Sequence, residues 1–184
     1  GFKVKGLMVM DGSRRSAHGN AYFTGFGNAK RIVFFDTLLK QLEPAEVEAV
    51  LAHELGHFRL RHIVKRMAWS STASLGFFWL LGFLMQQPWF YTGLGVTSPF
   101  PAMALVLFMF VIPPFTFLLQ PLGAMYSRKH EFEADQYAAQ FAAARDLVSA
   151  LIKLYRDNAS TLAPDPLYSA FYDSHPPAVV RIAR

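Results

Sequence analysis

Sixty-one consecutive residues, 67–127, contain no Asp, Glu, Lys or Arg. Such a run is long enough to cross a bilayer twice. Residues 67–87 are enough to span a hydrocarbon core of about 30 Å at about 1.5 Å per residue, and residues 101–126 supply a second span. Between them, Gln87-Pro88-Trp89-Phe90-Tyr91 and the Gly- and Pro-containing run to Pro99 predict a short turn with an interfacial aromatic belt. Pro113-Pro114 predicts a kink in the second span, with freed carbonyls that need partners. Arg59, Arg61, Lys65 and Arg66 precede the first span, and Arg128 and Lys129 follow the second. The positive-inside rule therefore puts both ends of the hairpin in the cytoplasm. The alternative, a buried hairpin of a soluble protein, is disfavoured by the length.

All charge lies outside this stretch, so the net charge of +5 averages two unlike regions. Lys and Arg are scattered or hug the apolar run, which predicts no nucleic-acid surface. The chain has no cysteine, excluding disulfides and thiolate metal sites. At 184 residues it reads as a single domain over 1–184 that contains both spans. Gly1 in place of an initiator Met predicts a fragment or a processed chain.

Just before the first span stands His53-Glu54-Leu55-Gly56-His57, an HExxH pattern. Residues four apart on a helix share a face about one turn apart, so both imidazoles can reach one tetrahedral ion. Glu54 projects beside them, free to take a proton from the attacking water while zinc polarises the scissile carbonyl. Pro44 suits a first helical position, Glu46 and Glu48 suit the positive end of the dipole, and Val47, Val50, Leu51 and Leu55 recur at helical spacing. The motif therefore sits on a helix starting near Pro44. The competing reading is a helix that merely carries surface histidines.

Two histidines leave a catalytic zinc one protein ligand short. A metzincin would have glycine at 60 and histidine at 63, where this chain has Leu60 and Ile63, so that class is excluded. Glu131-Phe132-Glu133-Ala134-Asp135 offers three carboxylates on an Ala-rich helical segment. Glu131 and Asp135 share a face, whereas Glu133 is turned roughly 200° away. Glu131 is the candidate ligand, with Asp135 as the carboxylate that orients a histidine or a neighbouring base. A solvated acidic face fits the same spacing. His18, His62 and His130 receive no role: His62, five residues past His57, points off the metal face, and His130 is merely adjacent to Glu131.

The words SAHGNAYFTGFGNAKRIVFFDTLL, HELGH, EFEAD and SHPPAVVR, in this order, resemble the M48 family of zinc metalloproteases, most closely its CAAX prenyl protease branch, the Ste24 type. The likeness runs over almost the whole chain. It implies that His53, His57 and Glu131 bind one zinc and that Glu54 is the catalytic base. It further implies that Asn20 contacts the substrate backbone, that His175 stabilises the tetrahedral oxyanion, and that Arg181 is a buried arginine near the site. Glu133 departs from the family pattern, which often has an uncharged residue there. Members of the family carry further transmembrane helices N-terminal to the matching region, and these wall an intramembrane chamber.

Residues 7–10, 20–26 and 31–35 predict short strands, the last two joined by Gly27-Asn28, and helices are expected near 131–144 and 146–157. An edge strand near the metal suits an extended peptide. The expected fold is a mainly α membrane protein of α+β type, in which the HExxH and ExxxD helices flank a two-span transmembrane hairpin beside a small N-terminal β-hairpin or sheet. The expected function is an integral-membrane, multi-pass zinc endopeptidase facing the cytoplasm. Its expected partners are the lipid bilayer and peptide or protein substrates, which the resemblance makes prenylated CAAX-type or other membrane-associated peptides. Alternatives are an HtpX-like quality-control protease of the same family, and a non-catalytic zinc-stabilised membrane scaffold with Glu133 or His130 as fourth ligand.

Overall fold

The computed structural model describes residues 7–14, 18–19, 21–24, 31–157, 161 and 163–183. Two compact units are formed, one from residues 1–62 with 124–184 and the other from residues 63–123.

The first unit holds a three-stranded sheet of β1 (Leu7–Met10), β2 (Ala21–Thr24) and β3 (Arg31–Phe35). Its order is β1-β3-β2, with β1 parallel and β2 antiparallel to β3. The central strand reads Ile-Val-Phe and is buried at all three positions, as a strand paired on both edges should be. The expected Gly27-Asn28 connection lies outside the described residues. After β3 come α1 (Asp36–Gln41) and α2 (Pro44–Arg59), and the unit is completed by α6 (Ala144–Asp157), α7 (Pro166–Tyr172) and α8 (Ala178–Ile182). Ile32, Phe34, Leu38, Leu42 and Ala150 form one core cluster between sheet, α1 and α6. Ala49 and Ala52 of α2 form another with Ala138, Leu147 and Leu151.

Helix α2 begins at Pro44, whose ring fixes φ where no N–H is needed. Glu46 then does two jobs. Its Oε2 accepts from the Glu43 N–H at 2.8 Å, closing the first turn, and the same carboxylate accepts from Ser149 Oγ at 2.6 Å and Lys153 Nζ at 2.7 Å, fastening α2 to α6. Burial opposes its charge, but the bonds from Lys153, Ser149 and Glu43 outweigh it and hold the carboxyl below its usual range. A depressed folded pKa contributes stability that is fully present above the unfolded value of about 4.3 and is lost as pH falls through the folded value. Glu46→Gln is therefore expected to lower stability by about 1–3 kcal/mol at neutral pH, with the gap closing in acid. Thermal unfolding of both chains in detergent across this range checks it, and a gap unchanged by acid would contradict it.

The second unit contains most of α3 (His62–Leu84), the short α4 (Pro88–Thr92) and the first part of α5 (Pro101–Ala138). Phe90, Tyr91, Ala104 and Phe108 form its core, and Tyr91 donates its hydroxyl to the Met85 carbonyl at 3.0 Å. Both α3 and α5 are long and apolar enough to cross a membrane, and only 6% of each most apolar window is buried. A core helix of a soluble domain would be mostly buried. Here Trp79, Phe110 and Leu118 face outward, as lipid-facing side chains do.

Two boundaries differ from expectation. The second span and the EFEAD segment form one helix, α5, which ends at Ala138. No breaker stands between Tyr126 and Glu131, so the polar residues there mark a change of surroundings, not an end of helix. That helix runs unbroken through Pro113, Pro114 and Pro121, with the Thr116 hydroxyl donating to the Pro113 carbonyl at 3.1 Å. The expected inter-span turn contains α4, which starts on Pro88.

Candidate metal centre

Helices α2 and α5 meet where neither has bulk. A Cβ on Gly56 would stand 3.1 Å from Ala134 Cα, Ala134 O and Tyr137 Cβ. The glycine inside HELGH thus lets the two backbones approach, and Ala134 opposite is fully buried. His53 and His57 on α2 then face Glu131 and Asp135 on α5.

The donor atoms converge. His53 Nε2 lies 3.2 Å from His57 Nε2 and 3.6 Å from Glu131 Oε2, and His57 Nε2 lies 3.4 Å from Glu131 Oε1. A tetrahedron with zinc–ligand distances of about 2.0–2.1 Å has edges of about 3.3 Å, so the two imidazoles and the Glu131 carboxylate stand at the spacing one zinc ion needs. Tautomers agree. His53 directs Nδ1 at Asp135 Oδ1, 2.9 Å away, which places its proton there and leaves the Nε2 lone pair facing inward. Asp135 is in turn gripped by Arg181, whose Nε donates to Oδ2 at 2.8 Å and whose Nη2 donates to Oδ1. The arginine side chain is only 6% exposed, and its Nη1 lies 3.9 Å from Glu131 Oε2.

Electrostatics follow from this packing. Burial works against a charge on His53, but the bonds to Asp135 and Glu131 prevail and raise its pKa to about 9 in the metal-free chain. Burial, then the charge on His53, lowers that of His57 to about 4. Glu54 is pushed above the usual carboxylate range mainly by burial. A base with a raised pKa holds an abstracted proton more firmly.

The other expected residues divide. His175, in the SHPP segment before α8, is largely exposed, and its Nδ1 is 2.8 Å from Glu131 Oε2. Asn20 lies outside the described residues. Glu133 does not join the three donors; it sits 2.9 Å from His62 Nε2 and 3.8 Å from Lys129 Nζ.

Sequence reasoning gave no role here to three groups. His62 lies off the metal face but is not idle: its Nδ1 is 2.9 Å from His57 Nδ1, the ring nitrogen turned away from the three converging residues. The chain turns at Arg61, a non-glycine residue at φ 57 that follows Leu60, the C-cap of α2, and α3 starts on His62. A single left-handed residue of this kind costs about 1–2 kcal/mol and has no reliable sequence signal. His130, set aside as a mere neighbour of Glu131, stacks on His62 with ring centroids 4.1 Å apart. Arg128, read only as a flanking charge, donates through Nη1 to the carbonyls of Ser169 at 2.9 Å and Asp173 at 3.1 Å, anchoring the end of α7 two residues before His175.

Comparison with known proteins places the chain. The model of peptidase family M48 matches residues 1–184. CAAX prenyl protease 1 of Saccharomyces cerevisiae is 37% identical over 198 residues, covering 99% of this chain and 44% of that protein. The CAAX prenyl protease 1 homolog of Arabidopsis thaliana is 38% identical, with 98% and 43% covered, and that of Homo sapiens 34%, with 98% and 46% covered. The crystal structure of S. mikatae Ste24p superposes with a TM-score of 0.88 at 37% identity, covering all of this chain and 46% of that one. The chain thus spans under half the length of the relatives it matches. With a metal-fitting His-His-Glu set on helices α2 and α5 and a family match over its full length, the chain belongs to peptidase family M48, among sequences similar to CAAX prenyl protease 1.

Proposed function

We propose that this chain is the catalytic portion of an integral-membrane zinc endopeptidase that acts on prenylated CAAX-type or other membrane-associated peptides. The observation that carries the reading is the convergence of His53, His57 and Glu131 at the edge lengths of one zinc tetrahedron, with Glu54 one residue along from His53. Bound there, zinc would act as a Lewis acid toward the scissile carbonyl and acidify the attacking water.

The protein groups then divide the remaining work. Glu54 accepts the proton of the attacking water and delivers it to the departing amine, for which its burial-raised pKa suits it. Asp135, held by Arg181, fixes the tautomer and angle of the His53 ring. His175, exposed beside Glu131, is available to donate to the developing oxyanion, and the family resemblance assigns the contact to the substrate backbone to Asn20. An edge strand of the sheet supplies backbone groups for an extended peptide.

The names of the relatives support the prenylated class over general membrane quality control. Basic residues at both ends of the apolar stretch support a cytoplasmic orientation. The test uses the zinc-loaded chain in detergent and one peptide, with and without an isoprenyl-cysteine near its C-terminus. Cleavage of the prenylated peptide at about tenfold or greater advantage in kcat/KM, or about 1.4 kcal/mol, is expected. Equal rates on the two peptides would reject the prenyl preference while leaving the protease intact.

A further inference from the structure

His57 and His53 have unlike surroundings, although both offer Nε2 to the same ion. His53 meets its carboxylate directly, whereas His57 meets another imidazole: His62 Nδ1 lies 2.9 Å from His57 Nδ1, and His62 Nε2 lies 2.9 Å from Glu133 Oε2. We propose that His62 and Glu133 are positioning residues for the metal ligand His57, forming a carboxylate–imidazole–imidazole chain that fixes its tautomer and ring angle. The inference rests on the reading of His57 as a zinc ligand.

Hydrogen bonding allows one order of protons along the chain. When His57 Nε2 gives its lone pair to a metal, its proton sits on Nδ1 and is donated to His62 Nδ1. His62 then carries its own proton on Nε2 and donates it to the Glu133 carboxylate. Every ring nitrogen has a complementary neighbour, and the negative charge at the far end favours this order over its reverse.

The ring of His62 is built in rather than merely nearby. The residue is 1% exposed and is stacked on His130 at 4.1 Å with 12° between planes. The His57 ring meets it edge-on at 5.0 Å and 77°, and Tyr126 in turn meets the His130 ring at 4.3 Å and 64°. Arg61, the residue immediately before His62, takes a positive φ, so local backbone strain stands where the chain brings this ring to His57.

His62, His130 and Glu133 also stand close enough to hold a metal of their own. Their geometry argues otherwise. Two nearly parallel stacked imidazoles direct their in-plane lone pairs side by side, not toward one point, and His62 Nε2 is already committed to Glu133.

The test is zinc affinity of the full chain in detergent, measured by competition with a chromophoric chelator for wild type, His62→Phe, Glu133→Gln and the double variant, with His57→Ala as reference. Loss of an orienting partner weakens metal binding about 10- to 100-fold. Glu133→Gln, which keeps a hydrogen-bond acceptor but not the charge, is expected near the lower end and His62→Phe near the upper. Because Glu133 acts through His62, the double variant should bind no more weakly than His62→Phe alone. The visible spectrum of the cobalt-substituted chain should shift in His62→Phe, which a purely structural loss of stability would not produce. Unchanged affinity in both single variants, additive losses in the double, or a second zinc equivalent that disappears with His62→Phe would each overturn the chain. Wild-type affinity in His57→Ala would instead overturn the ligand reading beneath it. Glu133→Gln alters a partly exposed side chain of equal size, so its result stands even if His62→Phe folds poorly.

Discussion

The Glu54→Gln chain is expected to bind zinc as tightly as wild type and to cleave peptide about 100- to 10,000-fold more slowly. Glutamine preserves volume and hydrogen-bonding capacity but cannot take a proton. Glu54 stands apart from the three convergent donors, so its replacement leaves the metal set intact. Burial has raised its pKa, which places it nearer the range of an efficient base. Zinc content and kcat measured on the same preparation separate the two effects. Loss of zinc together with activity would make Glu54 a ligand or a structural residue, and unchanged turnover would remove it from the chemistry.

The second large effect is expected at Glu131. Glu131→Gln exchanges an anionic oxygen ligand for a neutral amide of equal size, within 3.4 Å of His57 Nε2 and 3.6 Å of His53 Nε2. Zinc affinity should fall by well over the roughly 100-fold that loss of an orienting partner costs, because a ligand itself is weakened. The same change disturbs His175, which stands 2.8 Å from Glu131 Oε2, so catalysis by whatever zinc remains should also suffer. Chelator competition reads the first effect, and kcat at saturating zinc the second. A variant with wild-type affinity would move the third ligand elsewhere.

Much of this was legible from residue order. Two spans follow from a stretch without charge, because removing charge over that length has few other uses. The start of α2 was announced by Pro44 and Glu46, and the pairing of Glu131 with Asp135 follows from their four-residue spacing on a helix. What the spacing left out depends on contacts between distant segments. Gly56 reads as a weak point in a helix until Ala134 is seen against it. His62 falls off the metal face, and its contact with His57 Nδ1 is made across the left-handed turn at Arg61. Arg128 looks like a topology signal, yet its guanidinium binds carbonyls more than forty residues away. The Asp135–Arg181 pair joins α5 to α8, a contact whose forty-six-residue separation carries no local period. Helix periodicity thus finds ligands that share an element, whereas the groups that orient them come from wherever the fold closes.

The most direct measurement is a zinc titration of the chelated chain in detergent, with peptide cleavage followed at each addition. Zinc-dependent hydrolysis at the His53–His57–Glu131 centre predicts no turnover in the chelated chain and a linear recovery that stops at one equivalent of zinc. Cleavage that survives chelation, or that needs a second equivalent, would contradict it.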